Sequence, residues 1–142
     1  MSPTLSPTVS TTVSTTIASL DLPQTRTTPR VLFTPENRTL TLRGESYPEN
    51  SFRFFEPILS WVDAYLGERH EAITIVVDMP YMNSSSTKCM LDLLDRFEDA
   101  WRAGQLVLLH WYYDPDNERA LDLAEEFREE VSFPFETVAA HG

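Results

Sequence analysis

After Pro29 the apolar residues follow two periods, and the changes of period mark the elements. Val31-Leu32-Phe33 predicts a short strand, Pro35-Glu36-Asn37 a turn, and the alternating Thr39-Leu40-Thr41-Leu42 a second strand ended by Gly44. The two strands predict a hairpin. Phe54, Ile58, Trp61, Val62 and Tyr65 then recur at helical spacing up to Gly67. Pro57 interrupts that run. Either the helix starts near Phe54, so that Pro57 lies in the first turn where no amide partner is lost, or the helix is kinked there.

Ala72 to Met79 is mostly β-branched and apolar and predicts a buried strand, broken by Pro80-Tyr81-Met82-Asn83. From Ser84 to Ala103 the residues Met90, Leu94, Phe97 and Trp101 return to helical spacing, and Gly104 closes the helix. Leu106 to Tyr113 is a further apolar strand. Asp114-Pro115 offers a cap and first turn for a helix carrying Leu121, Ala124, Phe127 and Val131. Phe133 to Val138 predicts a last strand. The order β-β-α-β-α-β-α-β implies a single α/β domain with a partly parallel sheet covered by helices.

Composition adds a tail and a sign. Residues 1–28 repeat Ser-Pro-Thr and then Val-Ser-Thr-Thr, with Asp21 and Arg26 as their only charges. Such a stretch buries too little apolar surface to offset its ordering entropy, so it is expected to be a disordered tail ahead of a domain over 29–142. All of the formal net charge of -11 therefore sits on that domain. An acidic domain is a poor partner for nucleic acid. No apolar run is long enough to span a bilayer, so direct membrane insertion is not expected. A single cysteine, Cys89, cannot form an internal disulfide, and a cytoplasmic setting is the simplest.

The chemistry concentrates in Tyr81-Met82-Asn83-Ser84-Ser85-Ser86-Thr87-Lys88, which joins a buried strand to an amphipathic helix. Helix capping by Asn83 or Ser84 explains part of it and is worth about 1 kcal/mol. Four consecutive hydroxyl residues exceed what one cap requires. A phosphorylation switch is the other reading, because the unpaired first-turn amides and the helix dipole tolerate a phosphate there. Lys88, one turn after Ser84, would help neutralise it. The two roles can coexist in one residue.

Other constellations carry less. Ser46 and Glu49 have capping-box spacing, and Glu49 or Asn50 can alternatively belong to a partner surface. A Ser84 nucleophile lacks a Gly-x-Ser-x-Gly elbow and an evident base. His110 lies in an apolar strand, as a core or sheet-face histidine does. Asp114-Pro115-Asp116-Asn117-Glu118 superficially resembles a calcium loop, but Arg119 stands where the sharp turn needs glycine, so no metal site is expected. Cys89 fits a buried structural thiol. The acidic residues Glu125, Glu126, Glu129 and Glu130 are a solvated face or a steering surface for a basic partner.

In order, Ser46-Tyr47-Pro48-Glu49-Asn50-Ser51, the Tyr81–Lys88 stretch, His110-Trp111-Tyr112-Tyr113-Asp114, Ala124-Glu125-Glu126-Phe127-Arg128-Glu129 and Phe133-Pro134-Phe135 resemble the SiaC family of small bacterial regulatory phosphoproteins. The resemblance runs from about Thr27 to Val138. It implies a STAS-like fold, similar to that of anti-anti-sigma factors, with a mixed sheet of about five strands flanked by about three helices. It implies no enzymatic activity and no cofactor. The unphosphorylated protein would bind a membrane-associated diguanylate cyclase and stimulate cyclic-di-GMP synthesis, promoting biofilm formation or aggregation. A Ser/Thr protein kinase would block this, and a metal-dependent Ser/Thr protein phosphatase would restore it. The family phosphorylates the threonine of Asn-Thr-Ser-Ser, and Asn83-Ser84-Ser85-Ser86 matches that motif with serine in place of threonine. Ser84 is thus the expected phosphorylation site, with Thr87 as a second hydroxyl nearby. Asn83, Ser85, Ser86 and Lys88, with Tyr47, Glu49 and Asn50, are the expected partner-binding residues. The alternative is an anti-anti-sigma factor acting through an anti-sigma kinase.

Overall fold

Alternating and β-branched segments pair in chain order. The computed structural model describes residues 20–140. Its strands are β1 (Leu20–Leu22), β2 (Arg30–Thr34), β3 (Thr39–Arg43), β4 (Ile73–Asp78), β5 (Val107–Tyr113) and β6 (Phe135–Ala139). Its helices are α1 (Ser51–Glu68), α2 (Ser84–Arg102) and α3 (Glu118–Arg128). The sheet order is β1-β2-β3-β4-β5-β6. β1, β2 and β3 are antiparallel neighbours, and β3 through β6 are parallel.

Each parallel step crosses over through one helix. Right-handed crossovers that always move in the same direction place every helix on the same face. The burial pattern agrees with this. Leu40 and Leu42 of β3, Ile75 and Val77 of β4, and Leu109 and Trp111 of β5 are buried on alternate positions. They meet Phe55, Ile58 and Val62 of α1, Leu93, Leu94 and Phe97 of α2, and Phe127 of α3 in one core. Trp111 stacks on Phe127 with ring centroids 4.7 Å apart. On the other face the paired row Leu32, Thr41, Val76 and His110 is only partly covered. There His110 Nδ1 lies 3.2 Å from Glu136 Oε1, so this histidine belongs to the sheet face.

The hairpin, the three helices and the parallel strands match the expected order. The sheet has one strand more than expected, because Leu20–Leu22 pairs with β2. That segment lies within the stretch expected to be tail. Two apolar positions, Leu20 and Leu22, are too few to give a period, and the strand forms where β2 offers it an edge. Residues 23–28 of that stretch also pack with the domain: the Thr25 amide donates to the Thr28 carbonyl at 3.0 Å and the Tyr47 amide to the Thr27 carbonyl at 2.7 Å, whereas residues 1–19 lie outside the described residues.

Two helix starts also differ. α1 begins at Ser51, so Pro57 lies beyond the first turn. The carbonyl that loses its amide partner belongs to Arg53, and both Arg53 and Pro57 are exposed, so water can replace the bond. α3 is capped by Asn117, whose Oδ1 accepts from the Arg119 amide at 3.1 Å. Asp114 instead accepts from the Asp116 amide at 2.9 Å, an Asx turn ahead of the helix.

One buried charge ties α2 to the approach to β6. Glu98 is 7% exposed. Its Oε1 accepts from the Ser132 amide at 2.8 Å, and its Oε2 accepts from Arg102 Nε at 2.8 Å and from the Ser132 hydroxyl. Burial alone raises the pKa of this carboxyl, but the hydrogen bonds from Ser132 and Arg102 outweigh it and hold it at about 2. A depressed folded-state pKa stabilises the fold above the unfolded value of 4.5, and that contribution is lost as pH falls toward 2. The wild type should therefore lose thermal stability through this window more steeply than Glu98→Gln. Parallel melting profiles for the two proteins would contradict it.

Candidate functional site

The turn from β4 into α2 is held by backbone. After Asp78 the chain leaves the sheet, and an isolated parallel bridge pairs Ser46 with Met82. The Ser46 amide donates to the Tyr81 carbonyl at 2.9 Å, and the Asn83 amide donates to the Ser46 carbonyl at 2.9 Å. The loop after β3 reaches this position through Gly44, whose φ of +123° only glycine adopts readily. A Cβ there would lie 2.8 Å from the Gln24 side chain and 3.2 Å from Pro29 Cα.

Within this frame the hydroxyl run separates by helical rotation. Asn83 is the cap of α2, and its Oδ1 accepts from the Ser86 amide at 2.9 Å. Ser86 is fully buried; its hydroxyl lies 2.7 Å from Ser46 Oγ and 3.0 Å from Ser51 Oγ. The Ser85 hydroxyl donates to Ser51 Oγ at 2.9 Å. Thr87 Oγ1 donates to the Asn83 carbonyl at 3.1 Å. Ser84 is exposed, and its hydroxyl has no hydrogen-bond partner among the described residues.

These contacts join two helix beginnings. Ser51 is the first residue of α1 and Ser84 the first of α2. Neither helix has an acid in its first turn, so no side chain there offsets the positive dipole end. Lys88 is exposed one turn after Ser84 and has no ion pair among the described residues. An anion at Ser84 meets favourable electrostatics on its own chain.

Exposed aromatic surface adjoins this point. Tyr47, Phe52 and Tyr81 are 36%, 56% and 51% exposed, which is high for rings of this size. Tyr47 and Tyr81 pair edge to face with centroids 6.0 Å apart. Phe52 follows Ser51 at the start of α1.

The structure thus brings together Asn83, Ser84, Ser85, Lys88, Tyr47 and Asn50, all of which have some exposure, and leaves Ser86 inside. Ser86 faces the core side of α2 because two further residues rotate it about 200° from Ser84. Glu49 is exposed in the same loop, but it does not complete a capping box with Ser46. Asn50 caps α1, accepting from the Arg53 amide at 3.0 Å, and the Ser46 hydroxyl is committed to Ser86. Reasoning from sequence missed Phe52, Tyr81, Ser46 and Ser51 as parts of this site. Phe52 stands off the apolar stripe of α1, and that phase was a readable signal. The meeting of Ser46 and Ser51 with Ser86 left none, since it spans 35 to 40 residues of chain. Cys89 is buried, and burial followed by the nearby Asp92 pushes its thiol up, as suits an inert structural cysteine.

The division of labour has a direct consequence. Ser86→Ala leaves the buried Ser46 hydroxyl without its partner and should destabilise the fold by about 1–2 kcal/mol. Ser84→Ala should stay within about 0.5 kcal/mol of wild type. Equal losses in urea unfolding would contradict the assignment of one hydroxyl to the fold and one to the surface.

Known proteins share this sequence pattern and fold. A model of the SiaC family regulatory phosphoprotein matches residues 22–140. An uncharacterized protein of Pseudomonas aeruginosa strain UCBPP-PA14 is 40% identical over 124 residues, which are 87% of this chain and 98% of that protein. The structure of SiaC of Pseudomonas aeruginosa superposes with a TM-score of 0.80 at 38% identity, covering 86% of this chain and 98% of the other. A chain in the crystal structure of diguanylate cyclase SiaD in complex with its activator SiaC, also from Pseudomonas aeruginosa, matches with a TM-score of 0.82 at 40% identity. It covers 85% of this chain and 99% of that one. This chain belongs to the SiaC family of regulatory phosphoproteins.

Proposed function

We propose that this protein is a phosphorylation-controlled activator of a diguanylate cyclase, with Ser84 as the switch. The observation that carries the reading is the contrast within one run of hydroxyls. Ser84 alone is exposed and unbonded among the described residues, and it adjoins exposed aromatic surface at Tyr47, Phe52 and Tyr81. Exposed aromatics of this kind anchor protein interfaces. The match to a chain of the SiaD complex supports a cyclase as the partner. The protein itself acts by binding and needs no catalytic group.

Unphosphorylated, the Ser84 surface docks the cyclase and stimulates cyclic-di-GMP synthesis, which promotes biofilm formation or aggregation. A Ser/Thr protein kinase adds a phosphate of about -1.5 to -2 charges at that contact, and a metal-dependent Ser/Thr phosphatase removes it. The phosphate is held on its own chain by the α2 dipole and Lys88, but the interface must then desolvate a dianion. A cost of roughly 3 kcal/mol weakens binding more than a hundredfold. Asn83 and Ser85 frame the switch, and Asn50 and Glu49 extend the surface. Among the described residues no helix is long and apolar enough to cross a membrane, and the reading places the protein in the cytoplasm.

The test is phosphopeptide mapping of the protein from its own host, together with a cyclase assay. Phosphate should map to Ser84, the phosphorylated form should fail to stimulate, and Ser84→Ala should stimulate regardless of the kinase. Phosphate confined to Thr87 or to the N-terminal tail would sink the assignment. Capture of an anti-sigma kinase in place of the cyclase would overturn the choice of partner.

A further inference from the structure

The far face of the sheet has no helix over it. Leu32, Val76, Leu108, Tyr112 and Val138 belong to this face, opposite in phase to the buried residues of β2, β4, β5 and β6. None of the five is part of the core. All are half-buried, as side chains are when only their strand neighbours shield them.

The charges on this face are already matched. Asp21 meets Arg30 at 3.1 Å, Asp78 meets Arg43 at 3.4 Å, and Glu136 lies 3.2 Å from His110. What is left open is uncharged: the apolar side chains, with Thr41 and Thr74 between them. A fitting occupant is apolar and carries no charge, because a charge would lose water there without gaining a partner. The face is also small. Six strands about 4.8 Å apart and about five residues long make roughly 24 by 16 Å, or about 400 Å². A specific interface between free proteins needs about 800 Å² on each side. A segment tethered at the rim needs far less, since its effective concentration is in the millimolar range.

Residues 1–19 are such a segment. They precede the part of the chain that matches the family and join the sheet at Leu20, the first residue of the edge strand β1. Every even position from 2 to 16 is serine or threonine. Leu5, Val9, Val13 and Ile17 all fall on odd positions, with Thr11 and Thr15 between the last three. That is the period of two of an extended chain with one apolar side, and valine, isoleucine and threonine favour it. No side chain in the stretch is charged. It holds no Gly, Asn or Asp to turn it back as a hairpin along the free edge of β1. Extended, the ten steps from Val9 to Ser19 span about 33 Å, longer than the roughly 29 Å diagonal of the face.

We infer that residues 9–17 lie extended across this open face. Val9, Val13 and Ile17 rest on its apolar side chains, and Ser10, Thr12, Ser14 and Thr16 turn to water. The amides and carbonyls of the segment point sideways and stay hydrated. Alone, the stretch has nothing to bury its apolar side against, which is why its composition reads as tail; the sheet supplies that surface. The inference is independent of the reading of Ser84, which stands where α2 begins and not on this face.

The test is NMR of the full-length protein with labelled Ile, Leu and Val methyls and a soluble gadolinium chelate, which broadens the methyls it can approach. A segment docked for at least half the time halves that broadening, so Val9→Ser with Val13→Ser and Ile17→Ser should raise it at least about twofold at Leu32, Val76 and Leu108. Ile75 and Leu109, on the helix side, should not change. Ser10→Ala with Ser14→Ala alters only the water-facing side and should behave as wild type. All five positions precede β1, so the core is left intact in both variants. Open-face methyls as accessible in the wild type as in the triple variant would overturn the inference, and so would equal effects from the two variants. Protection that is lost on dilution would also overturn it, with a second copy as the cover.

Discussion

Strands that follow one another across a sheet in chain order, joined by right-handed crossovers, can place their helices on only one face. Every parallel strand then ends at the same edge, and every following helix begins there. In this chain the constraint collects the starts of α1, α2 and α3 at one end of the sheet. It also leaves the row Leu32, Thr41, Val76 and His110 on the far face without a helix. The position of the candidate surface follows from the topology. Helix beginnings carry unpaired amides and a positive dipole end, so the edge where they gather is electrostatically fit for an added anion.

Gathering helix starts has a cost that the sequence offsets locally. Two positive ends in contact repel, and their orphan amides need acceptors. Asn50 and Asn83 each supply one. The buried hydroxyls of Ser46, Ser51 and Ser86 then bind the two starts to each other through short contacts. A fully satisfied polar network of this kind is rigid, because breaking one member strands the others in a low dielectric. Rigidity suits a switch read by a partner. Under the proposed function, a phosphate on Ser84 would change the charge of this surface without rearranging its shape.

Much of this fold was legible because periodicity reports burial. Leu40, Leu42, Ile75 and Val77 alternate, Ile58, Trp61, Val62 and Tyr65 repeat at helical spacing, and each set lies in the core; Phe54, expected on that stripe, is only partly buried, and Phe55 takes its place. What periodicity does not report was read less well. Leu20–Leu22 is too short for a period and depends on the edge of β2. Asn83 caps α2 as expected, whereas the caps of α1 and α3 were displaced because several residues near those helix starts are chemically able to cap. Asn50 prevails over Ser46 since Ser46 is consumed by a residue forty positions away. Ser84, the serine proposed as the switch, stood out through motif resemblance and hydroxyl density. The burial of Ser86 was not, since it depends on the rotation of α2 against a loop far away in sequence.

The one fully exposed hydroxyl of the run from Ser84 to Thr87 also bears on how a small protein could be both stable and switchable. A phosphate on Ser86 would have to enter a packed, fully bonded site and would oppose folding itself. A phosphate on Ser84 enters solvent at a helix start, where the fold tolerates or favours it. Under the proposed function, the free energy of that modification would be expressed in the complex, where the dianion must lose water. Ser84 and Ser86 differ so sharply in what a phosphate would cost because two residues on one helix turn a side chain from solvent to core.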